Sequence, residues 1–120
     1  MEMEKILRKS ILYDFYGELL TEHQKRIYEE IVFNDMSYTE VGDMEGISRQ
    51  GVYDLIKRCD KILEEYEGKL KLVEKFQNTK AMVAQIQAIT KEMKEANSDA
   101  ALVDKIEAME QLSNAILEEY

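Results

Sequence analysis

Proline is absent from the 120 residues, and glycine occurs only five times. Both residues interrupt helices, so with Glu, Lys, Leu, Met and Ala dominating the rest an all-α fold is expected. A single cysteine, Cys59, excludes an intramolecular disulfide, and a cytoplasmic location is the economical expectation. No uninterrupted apolar run approaches the roughly 20 residues of a membrane span. Residues 1–9 alternate charged with apolar side chains, unlike a signal peptide.

Side chains for catalysis are equally scarce. His23 is the only histidine, and no glycine-rich loop is present to cradle a phosphate. His23 reads as a first-turn surface residue and Cys59 as a small core residue. The pairs Glu29–Glu30, Glu64–Glu65 and Glu118–Glu119 point to different sides of their helices and read as solvated. The expectation is a protein that is no enzyme and has neither cofactor nor metal.

Positive charge is also in deficit, with a formal net charge of −9. Residues 1–76 hold 12 Lys and Arg against 17 Asp and Glu, and residues 77–120 hold 4 against 8, so the excess is spread along the chain. Long-range attraction to phosphate is therefore weak or repulsive. Any nucleic-acid binding has to rest on contacts within about a Debye length.

What is present is a helix, a tight turn and a second helix over residues 37–58, SYTEVGDMEGISRQGVYDLIKR. Ser37 and Glu40 have capping-box spacing. Gly46 supplies the left-handed residue that ends the first helix, Ile47 is expected to plug the core, and Ser48 caps a second helix from Arg49. That helix puts Val52, Ile56 and Cys59 on one stripe and Arg49, Gln50, Tyr53 and Lys57 elsewhere, the layout of a helix-turn-helix whose second helix enters a major groove. Arg and Gln suit bidentate contacts to guanine and adenine edges. Asp54 with Arg58 and Lys61 with Glu65 read as ordinary intrahelical pairs.

Around this motif, residues 4–20 form an amphipathic helix with Ile6, Leu7, Ile11, Leu12, Phe15, Leu19 and Leu20 on its apolar face and Tyr13 and Tyr16 beside it. Thr21 and Gln24 form a second capping box, opening a helix from Glu22 to about Phe33. Beyond Arg58 the stripe continues through Leu63, Tyr66, Leu70 and Val73 as a heptad seam, so the helix is expected to run to about Lys75 with a bend at Gly68. Two further helices are expected near residues 79–96 and 99–119. One carries Met82, Ile86, Ile89 and Met93, the other Leu102, Ile106, Met109, Leu112 and Ile116. Their surplus apolar surface points to association. The division is thus residues 1–77 as a helix-turn-helix domain and residues 78–120 as a helical hairpin for oligomerisation.

The segments LYDFYGELLTEHQKRIYEE, ISRQGVYDLIKRCDKILEEYE and KLKLVEKFQ give the chain a resemblance to the small bacterial helix-turn-helix proteins linked to the signal recognition particle pathway, the UPF0122 or YlxM-like family. Residues 37–58 are also similar to the fourth region of sigma factors. The GDMEG sequence departs from the usual turn approach, although Gly42 keeps the small side chain required where two helices touch. The resemblance implies an all-α, winged-helix-like core of three or four helices with a helical extension. It also implies a regulator that contacts double-stranded DNA through Ser48, Arg49, Gln50, Tyr53, Lys57 and Arg58. A homodimer is expected, with a possible protein or ribonucleoprotein partner in that pathway. The rival expectation is an adaptor that uses the helix-turn-helix only as a packing scaffold.

Overall fold

The computed structural model describes residues 2–120, in two compact units, Met1–Val73 and Glu74–Tyr120. In the first unit, α1 (Glu2–Tyr16) runs into a single 3-10 turn (Gly17–Leu19), followed by α2 (Glu22–Val32), α3 (Tyr38–Glu45) and α4 (Arg49–Leu70). Helix α5 (Leu72–Ala96) begins at the end of this unit, and α6 (Ala100–Glu118) completes the second. The fold is all-α. Among the described residues there is no strand, so the four-helix core has no β wing.

Both expected capping boxes form. Thr21 Oγ1 accepts from Gln24 N–H while the Gln24 side chain accepts from Thr21 N–H, and Ser37 and Glu40 do the same for α3. Helix α4 is the hub, packing against α1, α2 and α3. Its residues Val52, Ile56, Cys59 and Leu63 are fully buried with Leu12, Tyr16, Leu20, Ile27, Tyr28 and Val41. Burial pushes the Cys59 thiol up to about 11, which keeps it protonated and unreactive. Two buried tyrosines reach carboxylates on α4: Tyr28 donates to Asp60 Oδ1 at 2.8 Å, and Tyr16 donates to Glu67.

Four expectations are corrected in this unit. The helix over residues 4–20 stops at Tyr16, where the 3-10 turn from Gly17 takes over, and Ile6 and Leu7 are exposed while Arg8 and Lys9 pair with Glu64 and Asp60 on α4. Tyr16, read as lying beside the stripe, is instead at its centre with 1 % exposure. Ile47 is 36 % exposed and does not plug the core, since the turn contributes its backbone to the α3 contact rather than this side chain. The long helix does not reach Lys75. It ends at Leu70, and Lys71, at φ 57°, turns the chain into α5. Val73 is buried as expected but belongs to the next helix, while Leu70 is 46 % exposed and Glu67 takes the inward position.

In the second unit α5 and α6 run antiparallel. Phe76 meets Tyr120 edge-on, the Gln87 side chain donates to Asn114, and Lys94 pairs with Glu107 and Glu110. The first of these helices starts seven residues before the expected Thr79 because α5 begins directly after the turn at Lys71. Its seam is made by Val83 and Thr90 against Ile106 and Ser113, with both hydroxyls satisfied inside their own helices. The apolar stripes picked from the sequence lie mostly outside this seam: Met82, Ile86, Ile89, Met93, Met109, Leu112 and Ile116 are all exposed.

Candidate nucleic-acid interface

Helices α3 and α4 approach so closely that a Cβ on Gly42 would lie 2.7 Å from the Ile47 carbonyl oxygen. Gly46 ends α3 at φ 72°, and its N–H donates to the Gly42 carbonyl. Gly46→Val should therefore lower stability by about 1 kcal/mol or more through backbone strain alone, since nothing lies within 4 Å of a Cβ there. An unchanged urea midpoint for that variant would show that the left-handed turn is not required.

From the outside, Arg26 on α2 grips Glu45 in the last turn of α3 with two 2.8 Å hydrogen bonds. These bonds hold the Glu45 carboxyl below the ordinary carboxylate range. At the start of α4 the Ser48 hydroxyl accepts from Gly51 N–H at 2.9 Å. Ser48, one of the six expected DNA contacts, is thus committed to a cap.

The other five are exposed on α4. Arg49, Lys57 and Arg58 form no ion pair among the described residues, whereas Arg8, Lys9, Lys25 and Arg26 in the same unit each hold a carboxylate. The first turn of α4 has no acidic residue, so the partial positive charge of its N-terminus faces outward uncompensated. Arg58 is free because the expected pair with Asp54 does not form; Asp54 instead accepts from Gln50 at 2.9 Å. That bond holds the Gln50 amide along the helix.

Lys57 Nζ stands 5.4 Å from the Tyr53 ring centroid, and Tyr53 meets the edge of Tyr38 at 5.7 Å. Tyr38, Arg49, Gln50 and Tyr53 line one shallow depression, and Tyr38 and Arg49 share the next with Ser37, Thr39, Met36 and Ile31. The sequence reading missed Tyr38. Its one local signal is an aromatic ring directly after the Ser37 cap, and only the α3–α4 crossing brings it to Tyr53.

The surface therefore combines three exposed cations, one amide and two phenols along one helix. It is chemistry suited to hydrogen bonding and charge pairing. His23 is exposed, with Nδ1 3.3 Å from an Arg26 nitrogen, and among the described residues no group of His, Cys, Asp and Glu is arranged to hold a metal ion. Among the described residues no helix is long and apolar enough to cross a membrane.

Comparison with known proteins agrees with this geometry. The model of a family described as "Putative helix-turn-helix protein, YlxM / p13 like", UPF0122, matches residues 3–106. A UPF0122 protein of Shouchella clausii is 37% identical over 108 residues, spanning 90% of this chain and 99% of its own. The UPF0122 protein YlxM of Bacillus subtilis is 38% identical over 110 residues, 92% of this chain and 100% of its own. A UPF0122 protein of Bacillus thuringiensis is 39% identical over 110 residues, covering 92% and 98%.

Proposed function

The chain belongs to the UPF0122 family of helix-turn-helix proteins, and we propose that it is a non-enzymatic, cytoplasmic regulator that binds double-stranded DNA with the first half of α4. The observation that carries this reading is the set of unpaired cations, Arg49, Lys57 and Arg58, on the exposed side of a helix whose N-terminus is free of acid. In a sigma-like docking, Arg49 and Gln50 reach base edges, Tyr53 covers an apolar base surface, and Lys57 and Arg58 meet phosphates. Tyr38 supports Tyr53 from α3.

With a net charge of −9, one such helix gains little from long-range steering. Two helices in a homodimer offset that, because joining two modest half-sites raises overall affinity through effective concentration. The family resemblance adds the proposal of a role in the signal recognition particle pathway. The same acidic charge favours a second reading, an adaptor that binds a protein or ribonucleoprotein of that pathway without DNA.

Titration of the full chain against DNA from its own genomic neighbourhood, over a salt series, tests the reading. Arg49→Ala should weaken binding about tenfold and relax sequence preference. Lys57→Ala should weaken all sequences and flatten the salt slope by about one unit, with folding unaltered in both. If neither substitution changes binding, or no DNA is bound and affinity for the partner is indifferent to salt, the adaptor reading replaces this one.

A further inference from the structure

On α5 the residues facing α6 are Val83, Gln87, Thr90 and Lys94, and on α6 those facing back are Ile106, Glu110, Ser113 and Leu117. Met82, Ile86, Ile89 and Met93 each precede a seam residue of α5 by one position, and Met109, Leu112 and Ile116 do the same on α6. One position is a rotation of about 100°. In an antiparallel pair the reversal of direction cancels the reversal of facing, so stripes offset the same way on both helices fall on the same side. The seven side chains therefore form one continuous apolar face, each between 37 % and 67 % exposed. Lys105, ahead of Ile106, is the one charge in the series.

We infer that this face is covered by the same face of a second copy of the chain, the two hairpins closing into a four-helix bundle. The inference rests on the dimer proposed above and says where it is held. The seven side chains offer roughly 650 Å² per copy, so pairing removes about 1,300 Å², within the range of stable specific interfaces and above the largest apolar patch typical of a monomer. Two copies that each carry −9 repel, and the stripe is where they meet with almost no charge between them. Its residues repeat at spacings of four and three, the pattern that interdigitates in bundles of this kind.

Sedimentation equilibrium of the full chain at tens of micromolar, with circular dichroism to verify helicity, tests this. The wild type should run at twice 14.1 kDa. Leu112→Asp and Ile89→Asp should each weaken dimerisation at least tenfold, while Gln111→Asp, one position off the stripe, should leave it unchanged. A dimer that persists in both stripe variants overturns the proposed face and leaves the dimer standing. Equal loss in Gln111→Asp overturns it too, because the effect is then not confined to the stripe. A wild-type monomer overturns both readings. If one stripe variant loses helicity, the other decides. Single-cysteine labelling at Leu112→Cys gives an independent readout, since Cys59 is buried and unreactive: protection that lifts on dilution supports the face, and full reactivity at all concentrations overturns it.

Discussion

Gly42→Ala should destabilise the protein by about 2 kcal/mol and Gly42→Val by at least about 3 kcal/mol, although both replace a poor helix former inside a helix. Propensity alone favours alanine over glycine by about 1 kcal/mol. The opposing effect is steric: a Cβ would sit 2.7 Å from the Ile47 carbonyl and 3.5 Å from Arg49 N, all backbone atoms without a rotamer to move aside. The strain has to be relieved by separating α3 from the turn, which displaces Arg49 with it. Gly46→Ala meets no atom within 4 Å and should cost only about 1 kcal/mol through its positive φ. Urea denaturation of the three variants gives the ranking. A Gly42→Ala protein as stable as wild type would mean that the helix-turn-helix tolerates a wider crossing than this one.

The motif was legible in the sequence because its determinants are local. Ser37 and Glu40, Thr21 and Gln24, and the cap at Ser48 each act within three residues, and the left-handed Gly46 is one residue acting alone. Further along α4 the reading fails where the helix ends. Tyr66 stays half-buried and stacked on Tyr16, but Leu70 is exposed although it lies about five full turns from Val52 on the same face, and Glu67 is buried where an apolar residue is the usual tenant. At the break after Lys71 the first two amides of α5 donate to the Tyr16 hydroxyl, remote in the sequence, and to the Glu67 carboxylate, contacts that no local pattern announces.

The hairpin shows a second kind of illegibility. Hydropathy marks Met82, Ile86, Ile89 and Met93, but the helices meet one position later on smaller or polar side chains, among them Thr90 and Ser113. Those hydroxyls bury without loss because each donates to a carbonyl of its own helix, a bond that composition does not reveal. For the candidate DNA surface, the exposed side of α4 followed from periodicity. Its electrostatic state did not, since Asp54, expected to pair with Arg58, accepts from Gln50 instead.

Glu67→Leu should cost about 3 kcal/mol, even though leucine matches the apolar neighbours and raises helix propensity slightly. Glu67 is 6 % exposed and accepts from the Tyr16 hydroxyl and, at 3.0 Å, from Val73 N–H. Tyr16 in turn accepts from Leu72 N–H at 3.1 Å. The first two amides of α5 are therefore capped from α1 and α4, and this capping holds Lys71 in a left-handed conformation that costs a non-glycine residue about 1 kcal/mol or more. Leucine removes the acceptor and leaves the Tyr16 hydroxyl and the Val73 amide buried without it. Replacing both ends of a buried polar pair by apolar groups is often neutral, whereas removing one end strands the other. Glu67→Gln keeps an acceptor oxygen and should cost only about 1 kcal/mol, while Tyr16→Phe, which strands Leu72 N–H, should cost about 2 kcal/mol. Once the capping is gone, the helical bond from Lys71 N–H to the Glu67 carbonyl can be continued, so α4 should grow into α5 and helix content should hold or rise as stability falls. Urea denaturation with circular dichroism distinguishes these outcomes: a Glu67→Leu protein as stable as wild type, with unchanged helix content, would show that packing alone sets the break at Lys71.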